Sequence, residues 1–505
     1  MNRNLVIDEI EKGTEWDIVV IGGGSTGLGT ALEAATRGYK VLLVEQSDFA
    51  KSTSGKSTKL IHGGVRYLAQ GNIRLVREAN VERGLLIKNA PHLVNDQQFI
   101  IPVYSQWERL KYLAGLKLYD WIAGWSSLGS TRFVKASEVV KAMPGLKPDG
   151  LIGGVLYHDG RFDDARFALE LARNVFIHGG FAINYFKVEN LNKKSGKISG
   201  IKGKDILSGK SYDIRAKAVV NATGVFADEV LKMDEPSSKN TLSVSQGIHL
   251  VFDKEIFEST DALMIPKTKD GRVLFVIPWH DKVLVGTTDM PVERASLEPI
   301  ASDNEINFIL DTLHQYLNIK VDRSNIKSVF AGLRPLAASG AKSTKEISRG
   351  HRIMRSTSGL YSIIGGKWTT YRKMGEDVIS TIEQTSHYQQ TVSITSKLKL
   401  DSFGQLRSVF LTSNLPSSSV DEIISVACDL YKSAVKKFII HEMALTVDDV
   451  LSRRTRILLL DAEEALRIAP KVAKIMAIEF NENNEWINNQ VDEFTAIAKN
   501  YLISK

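Results

Sequence analysis

Gly22, Gly24 and Gly27 stand in a Gly-x-Gly-x-x-Gly spacing, followed eighteen residues later by Glu45. This is chemistry for holding a dinucleotide. The first glycine makes a tight turn, the second lets the backbone approach a pyrophosphate, and the third lets a helix pack close to a strand. Ser25 and Thr26 fall where that helix opens, and its N-terminus points free N–H groups and a partial positive charge at phosphate. A carboxylate about 20 residues on is placed to accept ribose hydroxyls, with Gln46 beside it. An acid at Glu45 disfavours a 2′-phosphate, so the ligand is expected to be FAD or NAD rather than NADP.

The flanking pattern supplies the elements that such a turn requires. Residues 17–21 read as a short apolar strand, 28–35 as a helix opening and 40–44 as a second strand ending at Glu45. A long helix is predicted around 73–89. From about residue 96, apolar and aromatic residues mix with Lys and Arg. Residues 216–224 read as a strand running into the small-residue turn Thr223-Gly224, and 360–366 as a strand running into Gly365-Gly366. Further strand signals lie at 249–252, 273–277 and 282–285. Beyond about 395 the pattern is helical, at 420–438, 462–468, 471–480 and 490–502, with a loop carrying capping residues at 412–419. Ala50-x4-Gly55-Lys56-Ser57 formally matches a relaxed phosphate-binding loop, but it lies beyond its strand and begins with alanine. The Ser/Thr-rich run 52–59 is instead expected to wrap a bound dinucleotide.

Composition narrows the class. The chain has 505 residues, enough for two to four domains, with 43% hydrophobic and 24% charged residues. Its one cysteine, Cys428, excludes an internal disulfide and a cysteine-rich metal site and fits a reducing cytoplasm. The first residues are too short and polar a stretch for a signal peptide, and no apolar run approaches the ~18 residues of a membrane span. The net charge of +7 suits acidic ligands or an anionic membrane surface. No basic cluster interleaved with aromatics suggests nucleic acid.

Five further blocks carry a specific resemblance. Residues 57–68 (STKLIHGGVRYL), 329–336 (VFAGLRPL), 347–351 (ISRGH), 365–373 (GGKWTTYRK) and 447–456 (VDDVLSRRTR) resemble, in order, blocks of the FAD-dependent glycerol-3-phosphate dehydrogenases. The match runs from about Trp16 to past Arg456. Trp368 stands where some members carry Leu. The resemblance implies a Rossmann-like FAD-binding domain of the glutathione-reductase/D-amino-acid-oxidase type (15–95, 150–240 and 350–392). It also implies an interleaved mixed β-sheet substrate region (96–149 and 241–349) and an all-α C-terminal domain (396–505). The implied activity is oxidation of sn-glycerol 3-phosphate to dihydroxyacetone phosphate, with FAD as cofactor and a membrane quinone as final acceptor. The alternatives are a glycerol-3-phosphate oxidase that uses dioxygen, the nearest, or another FAD-dependent oxidase of the same fold. The implied location is the inner face of the cytoplasmic membrane, peripherally attached, and a homodimer is left open.

Several site residues follow from the resemblance. A small dianion needs cations converging from separate loops. Arg66, Arg334 and Arg349 adjoin glycine or turn segments, and Lys367 follows a glycine pair. With Tyr67, these are expected to hold the phosphate and hydroxyls. A base must take the hydroxyl proton, and His62 and His249 are both candidates. Ser57, Thr58, Lys59, Leu60, His62, Gly63, Gly64, Val188, Thr223, Gly224, Gly365, Gly366, Lys367, Trp368 and Thr369 are expected at the flavin. Val188 reads equally well as a core residue. Residues 107–125 hold three of the seven tryptophans. Leu110, Leu113, Leu118, Trp121 and Trp125 fall near one helical face among Arg109, Lys111 and Lys117. Periodicity allows either a core helix or an interfacial one, and the resemblance favours membrane contact.

Overall fold

The computed structural model describes residues 1–68, 71–269, 271–337, 350–386, 389–400 and 421–503, except for the side chain of Arg66. Arg349 and the loop expected at 412–419 lie outside them. In the first of two large sheets, five parallel strands run in the order Tyr361–Gly365, Ser211–Asn221, Glu15–Ile21, Val41–Val44 and Phe181–Ile183. Ile18, Val19, Val20, Leu42 and Leu43 are fully buried, as strands covered on both faces require. Helix Ser25–Thr36 crosses one face of this sheet, and helix Tyr371–Thr385 lies against it. The close approach uses Gly29 and Gly375: a Cβ on Gly375 would come within 2.7 Å of the Gly29 carbonyl oxygen.

The second sheet is mixed and larger. Its order is Met290–Val292, Leu242–Asp253, Lys282–Gly286, Leu274–Trp279, Ala262–Ile265, Val94–Val103, Gly153–Phe162 and Leu60–Ile61. Ile326–Ala337 pairs along Leu242–Asp253, and Arg132–Lys135 along Gly153–Phe162. Gly153–Phe162 thus pairs in the substrate-side sheet, although its residues fall within the segment expected to bind the dinucleotide. The reason is its long antiparallel register with Val94–Val103, from Val94↔Phe162 to Val103↔Gly153.

The C-terminal region is mainly helical: Lys432–Glu442, Ala462–Phe480 and Asn484–Ala498. Two details differ from the sequence reading. An antiparallel ribbon, Ile423–Ser425 with Leu430–Tyr431, occupies the start of the segment expected as a helix from 420; Asp429 turns it with φ +50°. Helix Ala462–Phe480 continues through Pro470, because a buried face of Ala465, Ile468, Ala469, Val472, Ala473 and Met476 anchors both halves.

Helix Gln106–Ala123 settles the direction in which the tryptophans point. Its buried face is Leu116, Tyr119 and Ala123. Trp107, Leu110, Leu118 and Trp121, spaced as one helical stripe, are exposed, as is Trp125 just beyond; Trp121 is 80% exposed. The Lys88 ammonium sits 4.2 Å from the Trp125 ring centroid.

Candidate active site

The first cavity forms at the carboxyl ends of the parallel strands, where the order of connections reverses. A Cβ on Gly27 would fall 1.9 Å from the Gly22 carbonyl oxygen, so only glycine lets helix Ser25–Thr36 start against the turn. Ser25 N–H donates to Ser54 Oγ at 2.9 Å, which fastens the Ser/Thr-rich run across the helix N-terminus. The Glu45 carboxylate accepts from Gly23 N–H at 2.6 Å and Ser47 N–H at 2.8 Å. Burial pushes its pKa up, against the pull of these two donors.

Gly22, Gly24, Ser25, Thr26, Glu45 and Gln46 line one part of a cleft holding about 1190 Å³ of empty space, some of it open to solvent. Val188, Thr223, Gly224, Gly365, Gly366, Lys367 and Trp368 line the rest. Strands Val41–Val44 and Tyr361–Gly365 are three steps apart in the sheet, so Glu45 and Gly365 stand about 14 Å apart at ~4.8 Å per step. An elongated ligand with a pyrophosphate at its middle matches that span.

The second cavity, about 1570 Å³, shares Thr53, Pro335, Gly366, Lys367 and Trp368 with the first. Its floor is the second sheet, whose register sets Ser245 opposite Arg334 and His249 opposite Phe330. Two glycines make room for the functional side chains. A Cβ on Gly247 would meet the Arg334 guanidinium at 2.2 Å, and one on Gly286 would meet the His249 ring at 2.2 Å. The Arg334 guanidinium donates to Thr287 Oγ1 at 3.0 Å and lies 3.5 Å from Asp289 Oδ1. Asp289 in turn accepts from the Ser245 hydroxyl.

His249 is 2% exposed, stacks on Phe330 at 4.9 Å and shares a hydrogen bond between Nε2 and Thr58 Oγ1 at 3.0 Å. Burial, with the Arg334 and Lys59 charges adding to it, drives its pKa well below the usual histidine value, so the ring is neutral at pH 7. His62 and Tyr67 line the same cavity. The Lys367 ammonium lies 3.8 Å from the Tyr67 ring centroid, a cation–π contact. The sequence reading missed Arg272, Thr287, Thr288 and Asp289, which also line this space. They lie in the turns before strand Leu274–Trp279 and after strand Lys282–Gly286, and no local motif marks them.

Not every expected residue faces the first cavity. Ser57, Thr58, Leu60, His62, Gly64 and Thr369 line the second. Lys59 and Gly63 line neither. Lys59, in a left-handed turn at φ +61°, is fully buried, with its ammonium 2.7 Å from Asp164 and 2.8 Å from the Gly55 carbonyl oxygen. It braces the loop from behind. Gly63 N–H donates to Asp159 Oδ1 at 3.2 Å, and any Cβ there would collide with Tyr119 and Asn80. Arg66 lies in the four-residue helix Val65–Leu68.

A family model for FAD dependent oxidoreductases matches residues 17–372, and one for the C-terminal domain of alpha-glycerophosphate oxidase matches residues 361–486. The chain is 36% identical to the mitochondrial glycerol-3-phosphate dehydrogenases of Macaca fascicularis and Homo sapiens, over 99% of its own length and 75% of theirs. It belongs to the FAD-dependent glycerol-3-phosphate dehydrogenase family. Among solved structures, the glycerol-3-phosphate dehydrogenase of Bacillus halodurans, complexed with FAD, superposes with a TM-score of 0.80 at 28% identity, covering 99% of this chain and 97% of that one. The L-alpha-glycerophosphate oxidase of Mycoplasma pneumoniae, with FAD bound, shares the fold at a TM-score of 0.59 and 17% identity, over 73% and 95% of the two chains.

As in other members of the glycerol-3-phosphate dehydrogenase family, the cofactor is FAD. The first cavity fits it. A Cβ on Gly22 or Gly27 would collide with backbone carbonyl oxygens at 2.6 or 1.9 Å, so the tight turn requires glycine there, and Gly24, Ser25, Thr26 and Glu45 line the cleft beside it. Gly365 and Gly366, at φ +78° and +89°, turn the backbone at the junction with the second cavity.

Proposed function

We propose that this chain oxidises sn-glycerol 3-phosphate to dihydroxyacetone phosphate in the second cavity and passes the electrons to a membrane quinone. Bound FAD supplies the acceptor for the hydride leaving C2. The observation that carries the reading is the convergence of Arg334, Arg272, Lys367, His62 and His249 on one cavity that opens into the dinucleotide cleft at Gly366–Trp368. Arg334 and Lys367 hold the phosphate, with Arg272 adding charge from the turn that precedes strand Leu274–Trp279. Tyr67 orients the Lys367 ammonium through its ring.

His249 takes the C2 hydroxyl proton at a ring nitrogen. A neutral imidazole can accept it, and burial, Arg334 and Lys59 keep the imidazole neutral. Thr58 orients the ring through Nε2. Trp368 donates from Nε1 to the Ser54 carbonyl oxygen at 2.8 Å and packs edge-on against Phe162, Phe167 and Tyr371, excluding water behind the junction.

The exposed stripe of helix Gln106–Ala123 supports attachment to a membrane surface, which we place at the inner face of the cytoplasmic membrane. Trp107, Trp121 and Trp125 would enter the headgroup boundary, and Lys111 and Lys117, both exposed, would meet anionic lipids. Among the described residues no helix is long and apolar enough to cross a membrane. The test is anaerobic mixing with glycerol 3-phosphate, followed by turnover with a soluble quinone analogue against dioxygen. Bleaching of the flavin band with quinone-dependent turnover supports the reading. Turnover that dioxygen sustains equally well assigns an oxidase instead, and no bleaching rejects the substrate.

A further inference from the structure

A turn of π-helix in the C-terminal region, Asp449–Arg454, directs two consecutive arginines onto one carboxylate far away in the sequence. Arg453 Nε donates to Asp48 Oδ2 at 2.5 Å, Arg454 Nη2 donates to Asp48 Oδ1 at 3.0 Å, and Arg454 Nη1 also donates to Oδ2. Asp48 is fully buried. The cluster continues: Arg453 donates to Asp448 at 2.9 Å and Asp449 at 2.7 Å, and Lys51 donates to Asp448 at 3.1 Å. Asn184 Nδ2 gives Asp48 a further bond at 3.1 Å. Three cations thus meet three carboxylates, none of the six side chains more than 16% exposed. Burial pushes the Asp48 carboxyl up, and the two guanidiniums more than offset this, holding it below the ordinary range.

The other side of the same short loop is cofactor wall. Gln46, Ala50, Lys51 and Ser52 line the first cavity, and Ala50 N–H donates to the Gly23 carbonyl oxygen at 3.0 Å, in the dinucleotide turn itself. Ala50 sits at φ +60°, a left-handed conformation that a non-glycine residue keeps only when its surroundings impose it. A buried ionic cluster adds little net adhesion compared with apolar packing, but it fixes geometry. Asp48 is the point where that geometry is applied, two residues from Ala50.

We propose that Arg453 and Arg454 act through Asp48 as positioning residues that hold the 46–52 loop in its FAD-binding shape, so that the C-terminal helices set how tightly the flavin is kept. The proposal rests on FAD occupying the first cavity. It is tested on the full-length holoenzyme by the rate of flavin release after dilution, followed by flavin fluorescence, beside the melting temperature and the KM for glycerol 3-phosphate at saturating FAD. Arg454→Met should speed release about tenfold or more, because one partner of a buried ion cluster is lost. Arg454→Lys, which keeps the charge, should recover most of the loss. The KM for substrate should stay within about twofold, since neither arginine reaches the second cavity.

Asp448→Asn weakens the contacts to Lys51, Arg453 and Ser452 but leaves both arginines on Asp48, so it should speed release about threefold in a chain that still folds. Parent-like release in Asp448→Asn and in whichever Arg454 variants fold, with only the melting temperature lowered, overturns the proposal and leaves the cluster as inter-domain cement. Gly24→Val separates the two readings. If it keeps flavin, the cavity assignment is wrong; if it loses flavin while the cluster variants keep theirs, positioning alone is wrong.

Discussion

Replacing Arg334 by alanine should damage catalysis with the phosphorylated substrate far more than with its unphosphorylated analogue. The side chain lies across Gly247, held by Thr287 and facing Asp289 at 3.5 Å. Two costs add. A charge-assisted hydrogen bond to phosphate is worth about 1.5–3 kcal/mol. Removing the guanidinium also bares the Asp289 carboxylate, and a negative charge ~6 Å from the phosphate at an effective dielectric near 20 costs about 1–3 kcal/mol after allowance for partial exposure. The sum, about 2.5–6 kcal/mol, is a fall of roughly 10²–10⁴-fold in kcat/KM for glycerol 3-phosphate. Glycerol has no phosphate to hold and should lose less than about threefold. The double variant Arg334→Ala/Asp289→Asn should regain about tenfold, because it removes the repulsion but not the missing bond. Anaerobic flavin bleaching gives both rate constants without involving the final acceptor. Equal proportional losses for both substrates, or no recovery in the double variant, would refute the clamp.

Three other perturbations test separate parts of the structure. His249 is buried neutral with its pKa far below that of the unfolded chain, so the unfolded state binds more protons once the pH falls through about 6.5. Stability present above that pH should therefore decline from ~7 to ~5, and less steeply in His249→Gln; identical slopes in chemical denaturation would show that the ring titrates freely. Lys59→Met leaves Asp164 buried without its cation and should cost about 3–5 kcal/mol in urea unfolding, with the added change Asp164→Asn restoring a large part. Replacing Trp121 and Trp125 by Ser should lower the melting temperature only slightly, since both rings are exposed and only the Lys88–Trp125 contact is lost, and release the protein from anionic liposomes in a sedimentation assay. Retained sedimentation would remove the membrane role.

The parts of the site that were legible in the sequence are those made within one turn of chain. Gly22, Gly24, Gly27 and Glu45 announce themselves because a strand, a turn, a helix and a second strand follow each other without interruption. Arg334 and Lys367 were found through the blocks around them. Thr287 and Asp289 were not, because they sit in the turn after strand Lys282–Gly286 that only the pairing of the second sheet carries to Arg334, and register is a long-range property that local spacing does not encode. Lys59 shows the converse. Its neighbours suggested the flavin, but a left-handed turn swings it back onto Asp164. The tryptophan helix was ambiguous for a physical reason: a hydrophobic stripe has the same period whether it faces core or solvent. Here Leu116 and Tyr119 take the inner face and leave the tryptophans outside. Helix Ala462–Phe480 was split at Pro470 because the sequence shows the lost N–H but not the packing that outweighs it.

The cofactor cleft draws its walls from both ends of a long stretch of chain, from Gly22 to Trp368. A ribosome adding ~5–20 residues per second would complete the Gly22–Gly27 turn roughly 20–70 s before it delivers the strand that carries Gly365 and Gly366. Strand Ser211–Asn221, made part-way through that interval, gains its parallel partner at Val220 and Asn221 only when Tyr361–Gly365 arrives. The complete cleft comes into being late, after most of the polypeptide has been made. Flavin capture in the finished cleft is therefore a late event of biosynthesis, and the nascent chain must remain soluble without it until then.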